Sequence, residues 1–220
     1  MSTATNRTLP TDRLRALARA AASGEEPRPP SHRCELCSEV LPDVHRHLVE
    51  LPARELACAC RACALLFDRA TVAGRTGGDR YRAVPELRQR LGPDPLDDVA
   101  WSALGVPVRL AFFVRHEGDA PLGEVTAYYP SPLGVVGTAV EPEAWERLAR
   151  QQPAVERLRP EVTALLVHRD AREHWLVGID ECYRLTARVR HSWTGMTGGD
   201  EVWHEIDRFF AELRGDAAPA

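Results

Sequence analysis

Five cysteines fall within thirty residues, as Cys34-Glu-Leu-Cys37 and, twenty residues later, Cys58-Ala-Cys60-Arg-Ala-Cys63. A CxxC turn lets two thiolates approach one ion without straining the backbone, and two such turns supply the four soft ligands of a tetrahedral Zn²⁺. The simplest shell is Cys34, Cys37, Cys60 and Cys63. Cys58 is then left to replace Cys60, to support the shell from behind, or to pack as a small hydrophobe. Cys58 and Cys60 share a strand face if the strand continues, so the choice between them depends on where the following helix begins. His45 and His47, two residues apart on one strand face, are further candidate ligands or orienting partners, and His32 brings the potential donors to eight, enough for two ions. Zinc is the expected cofactor. Four thiolates also suit an iron–sulfur cluster, although this spacing does not match the ferredoxin runs.

Other chemistry is thinner. The chain has no lysine, its 28 basic residues all being arginine, so a Schiff base, an ammonium base and the P-loop lysine are excluded. No GxSxG elbow, HExxH helix or paired catalytic signature occurs, and no catalytic residue is assigned. Cys182 stands near an expected helix start, where a dipole could activate it, yet Cys182, Leu185, Val189 and Trp193 line one helical face and read as core. Gly74-Arg-Thr-Gly-Gly-Asp79 and Gly195-Met-Thr-Gly-Gly-Asp200 look like phosphate-cradling turns. Each ends in an aspartate that would itself cap a helix and repel an anion, so capped turns are the better reading. Tyr128-Tyr129-Pro130-Ser131-Pro132 is a stiff, aromatic strand exit that either faces a ligand or partner, or covers the core with alternate rings.

The elements that must position these residues follow from pattern. Between the cysteine turns, residues 44–51 and 54–58 read as two short strands around Pro52, and the run after Cys60 has good helix formers. Knuckle, hairpin and helix in that order predict a treble-clef module, with a zinc ribbon as the close competitor. Strands are expected at 108–114, 125–129, 162–167 and 174–179, and helices at 95–104, 142–150, 180–193 and 200–213. The last helix carries Val202, Trp203, Ile206, Phe209, Phe210 and Leu213 as a core stripe. Hairpins outnumber strand–helix–strand units, so the expected fold class is α+β: a small zinc-knuckle module followed by an antiparallel sheet with helices on one face.

This division gives an N-terminal helix and a linker containing Pro27, Pro29 and Pro30 over 1–31, a cysteine-rich metal-binding module over 32–82, an α+β domain over 83–214 and a disordered tail over 215–220. Apolar residues make up 44% and charged residues 27%, which suits a globular chain. No apolar run is long enough to span a bilayer and no signal region opens the sequence, so the expectation is a cytoplasmic protein whose thiols are free for metal. Residues 1–90 carry fifteen Arg against eleven acids and 91–220 carry thirteen against twenty-one. That split is too mild for a nucleic-acid footprint.

Taken jointly, Cys34-Glu-Leu-Cys37, His45-Arg-His47-Leu-Val, Cys58-Ala-Cys60-Arg-Ala-Cys63-Ala-Leu-Leu-Phe67, Tyr128-Tyr-Pro-Ser-Pro132 and Arg172-Glu-His174-Trp-Leu-Val-Gly-Ile-Asp180-Glu-Cys182-Tyr183 resemble an uncharacterised bacterial family, a domain of unknown function often encoded beside uptake nickel–iron hydrogenase genes. The resemblance spans most of residues 34–213. It implies no established activity but a context: a metal-binding accessory or adaptor protein whose partner is a hydrogenase subunit or maturation factor. An iron–sulfur redox or cluster-carrier protein and a nucleic-acid-binding regulator are the alternatives.

Overall fold

The computed structural model describes residues 32–67, 80–92, 96–117, 124–131, 134–195 and 198–215. The N-terminal helix and linker expected over 1–31, the glycine turn at 74–79 and the tail beyond Gly215 lie outside the described residues.

Two antiparallel sheets organise the rest. The smaller contains β1 (Arg46–Glu50), β2 (Glu55–Ala59) and β3 (Tyr81–Ala83) in the order β2-β1-β3. Between β2 and β3 the chain forms α1 (Arg61–Leu66), which starts directly after β2. The larger has six strands in the order β4-β9-β8-β5-β6-β7, namely β4 (Arg88–Arg90), β5 (Leu110–His116), β6 (Glu124–Ser131), β7 (Gly134–Ala139), β8 (Thr163–His168) and β9 (Glu173–Gly178), every neighbouring pair antiparallel.

Alternate side chains of the central strands feed two separate cores. Leu110, Phe112, Val114, Ala164, Leu166, Trp175 and Val177 pack beneath α4 (Ile179–Ser192) and α5 (Gly199–Arg214). Ala111, Phe113, Leu165, Val167 and Leu176 pack instead against α2 (Asp98–Ala103), α3 (Pro142–Gln151) and the 3₁₀ turn Pro153–Arg157. The α+β class and the antiparallel sheet are as expected, and the C-terminal helix pair covers one face. The second face is covered as well, which explains why β8 and β9 are buried at every position, with the apolar runs Ala164–Val167 and Trp175–Val177 at their centres.

Local differences from expectation have local causes. Trp203 stays half exposed while Val202, Ile206, Phe209, Phe210 and Leu213 are buried, because the stripe on α5 is narrower than its apolar content. Gly198, at φ 92°, is the N-cap of α5, and Asp200 sits in the first turn rather than at the cap. Only glycine occupies that left-handed position cheaply, so the backbone bend takes priority and the carboxylate contributes through the helix dipole. The strand expected to exit at Tyr129 runs on to Ser131; Pro130 pairs with Val135 of the edge strand β7 and lies beyond Tyr128, where the pairing of β6 with β5 ends, so its missing N–H interrupts no ladder on that side.

Candidate metal centre

The first knuckle is a tight turn closed by the Ser38 amide donating to Cys34 O at 2.7 Å and the Cys34 amide donating to Glu39 O at 2.8 Å. Ser38 adopts φ 66°, the left-handed bend that carries the chain back after the second thiol. The other pair comes from the junction of β2 and α1. The strand stops at Ala59, Cys60 takes the extended conformation of an N-cap, and its sulfur accepts from the Cys63 amide at 3.4 Å. A helix therefore holds this pair, and Cys60 turns out of the strand line that Cys58 continues.

The result is that the sulfurs of Cys34, Cys37, Cys60 and Cys63 all lie within 4.8 Å of one another, with Cys37 and Cys60 at 3.8 Å. Cys34 and Cys60 are buried, Cys63 is half-buried and Cys37 is exposed, so the group sits at the edge of a core containing Leu41, Leu48, Ala59 and Ala64. Burial opposes ionisation of Cys34, but hydrogen bonds from the backbone of Cys60, Cys37 and Leu36, and from the Cys37 thiol, bring it down to about 6. Burial pushes Cys63 far up, and its hydrogen bonds with Cys60, Cys37 and Cys34 push the same way. One thiol ready to ionise beside neighbours that resist it is what four thiols must do without a cation. A divalent ion reverses the balance and favours thiolates. The amide-to-sulfur donors already in place fit a metal, and these four cysteines are arranged to hold one.

Cys58 takes another direction. It lies opposite His47 across the β1–β2 ladder, and with His45 and His47 it forms a second group whose ligand atoms lie within 4.8 Å of one another. His32 is exposed, its ring centroid 5.5 Å from that of His45, and it is not part of this group.

Cys182 is fully buried in the core under α4, its thiol pushed well up by burial, which matches a packing role. Tyr128 stacks on Phe112 at 5.3 Å, while Tyr129 packs into the opposite core, so alternate rings serve alternate faces.

Sequence reasoning missed a buried acid–base pair. His116 Nδ1 lies 2.8 Å from Glu161 Oε2, and the Tyr128 hydroxyl lies 3.5 Å from His116 Nε2, at one wall of a cavity of about 150 Å³ that also touches Val49, Leu56 and Tyr183. Burial would raise the Glu161 carboxyl. His116, the Glu117 amide and Arg54 together hold it below its ordinary value. The two residues are 45 apart in sequence, and no local motif announces them.

Fold and site together define a small module with a four-cysteine cluster that could hold a metal ion, joined to an antiparallel α+β sheet covered on both faces. The chain belongs to DUF5947, a family of unknown function whose model matches residues 33–217. No curated protein and no solved structure matches it. Among the described residues no helix is long and apolar enough to cross a membrane.

Proposed function

We propose that this chain is a non-enzymatic, zinc-stapled accessory protein, in which Cys34, Cys37, Cys60 and Cys63 hold Zn²⁺ in a treble-clef module. The α+β sheet presents a surface to a protein partner. The observation that carries the reading is the convergence of the four sulfurs from a knuckle and a helix start onto one point. Binding of the ion supplies folding free energy to a module whose own core is small. The resemblance to proteins encoded beside uptake nickel–iron hydrogenase genes points to a hydrogenase subunit or maturation factor as that partner. The His116–Glu161 pair fits a non-enzymatic role as an internal clasp, since Glu161 also accepts from the Glu117 amide at 3.2 Å. Nucleic-acid binding has little support, because α1 carries Arg61 as its single basic residue.

Anaerobic purification followed by elemental analysis and an absorption spectrum tests the metal assignment. The expected result is a colourless protein with zinc bound at the four-cysteine site. Brown protein with charge-transfer bands would replace zinc by an iron–sulfur centre, and absence of any stoichiometric metal would overturn the reading. Co-purification of the tagged chain with a nickel–iron hydrogenase subunit or maturation factor, lost when the tag alone is expressed, tests the partner.

A further inference from the structure

The cluster of His45, His47 and Cys58 shares no donor with the four-cysteine group, Cys58 lying on β2 and Cys60 capping α1 just beyond it. Its three donors come from adjacent strands: His47 and Cys58 face each other across the ladder, and His45 precedes β1 by one residue. The rings of His45 and His47 stand 4.9 Å apart between centroids.

Both imidazoles are oriented through the nitrogen that would not ligate. His47 Nδ1 lies 3.1 Å from Asp180 Oδ2, and His45 Nδ1 lies 3.0 Å from the Pro42 carbonyl oxygen. Since a carbonyl can only accept, His45 Nδ1 carries the proton, and Nε2 is left with the lone pair. That Nε2 is buried and has no hydrogen-bond partner. A buried ring nitrogen without a partner costs free energy unless something occupies it. A histidine whose outer nitrogen donates to a carboxylate or carbonyl is the arrangement that fixes the tautomer and raises the basicity of a metal ligand.

The carboxylate is placed with care. Asp180 sits in the first turn of α4, after Gly178. A Cβ at position 178 would stand 2.6 Å from Pro85 O and 2.7 Å from Asp180 Oδ1. Glycine is therefore what allows the helix start, the Pro85 backbone and the Asp180 carboxylate to meet beside His47.

We infer that His45, His47 and Cys58 form a second metal site, for a borderline divalent ion of the zinc class, with Asp180 and the Pro42 carbonyl orienting the two histidines. Two imidazoles and one thiolate suit zinc, cobalt or copper(II). The blue-copper variant of this donor set usually adds a weak axial methionine, and the chain's two methionines, Met1 and Met196, are remote in sequence from the cluster. Three protein donors leave one tetrahedral position open, the pattern of an exchangeable ion, whereas four thiolates close the first site. Asp180 belongs to α4, so occupancy of this site bears directly on the contact between the small sheet and the large one.

Cobalt(II) is the probe. Full-length chain, with its as-isolated metal content measured, is titrated anaerobically with Co²⁺ while zinc release is followed. One equivalent of Co²⁺ should bind without displacing the first ion and produce thiolate-to-cobalt absorption. Cys58→Ser should abolish that absorption, His47→Ala should weaken uptake at least about tenfold, and Asp180→Asn should weaken it by about ten- to a hundredfold. In each variant the metal content of the four-cysteine site should stay at the wild-type value. Uptake of no second ion by the unmutated chain overturns the inference, as does one-for-one displacement of the first ion, or cobalt binding that the three variants leave unchanged. The wild-type stoichiometry decides the matter even if a variant fails to fold. Failure of the four-cysteine assignment shows separately, as chain isolated without metal there.

Discussion

Removing the ion from the four-cysteine site should melt the small sheet and leave the large one standing. Among the described residues the fully buried part of the core beneath that sheet is Cys34, Leu41, Leu48, Ala59, Cys60, Ala64 and Ala83, with Leu36, Phe67 and Tyr81 partly buried against it, so its large fully buried aliphatic side chains are Leu41 and Leu48. Burying each of these contributes about 1.5–3 kcal/mol, whereas a structural zinc bound by a comparable peptide contributes about 10–16 kcal/mol. The ion thus outweighs the leucines of its own core severalfold. The cores on either face of the six-stranded sheet draw on Phe112, Phe113, Trp101, Trp145, Trp175, Phe209 and Phe210, and none of the four clustered cysteines belongs to either of them. The assay is residue-resolved hydrogen–deuterium exchange before and after anaerobic chelation. Amides of β1, β2 and α1 should lose protection by at least about a hundredfold, equivalent to about 2.7 kcal/mol. Those of β5, β8 and β9 should change little. Partial loss is expected near the start of α4, because Val49 of β1 packs in the core beneath that helix and His47 bonds Asp180. If β1, β2 and α1 keep their protection once the metal is gone, the small core holds itself together and the reasoning fails.

Three further outcomes follow from the same contacts. Phe113 is fully buried between Trp101 and Trp145, at ring distances of 5.9 and 5.8 Å, so Phe113→Ala should cost about 3–5 kcal/mol in denaturant unfolding, with the metal content unchanged. Glu161 has a depressed folded-state value, so its contribution to stability is present above the ordinary glutamate value near 4.5 and is lost as pH falls through the lower folded value. Glu161→Gln should flatten that part of the stability profile, read from urea midpoints across the acid range. Cys182, with its thiol raised by complete burial, should escape iodoacetamide in the native protein at pH 7.5 and react once the chain is unfolded, as read by peptide mass spectrometry.

Legibility from sequence tracked how far each signal depended on neighbours in the chain. The cysteine turns, the hairpin between them and the helix after Cys60 are local, and the spacing of Cys34, Cys37, Cys60 and Cys63 carried over directly into three dimensions. The long helices α4 and α5 were legible for the same reason, their stripes being written at helical period. Three strands were not. Tyr81–Ala83 and Arg88–Arg90 have three residues each, too few for a period, and Gly134–Ala139 is an edge strand with mixed exposure along its length. The second helical layer was implicit in the apolar runs Ala164–Val167 of β8 and Trp175–Val177 of β9, but such runs do not say which helices cover them. His116 and Glu161 met through the fold alone.

The question left by the five clustered cysteines, which of Cys58 and Cys60 belongs with the others, is answered by one backbone event. Had β2 continued one residue further, Cys58 and Cys60 would share a face, and the two ligand groups would merge. The strand instead ends at Ala59, and Cys60 becomes the cap of α1. Its sulfur turns towards Cys34, Cys37 and Cys63, while Cys58 remains on the ladder facing His47. A single strand-to-helix transition thereby sorts seven nearby donors into a closed group of four sulfurs and an open group of two imidazoles and one sulfur. The closed group is tied to the small core, and the open one to Asp180 on the large domain's first long C-terminal helix. The backbone alone thus keeps the two donor groups apart.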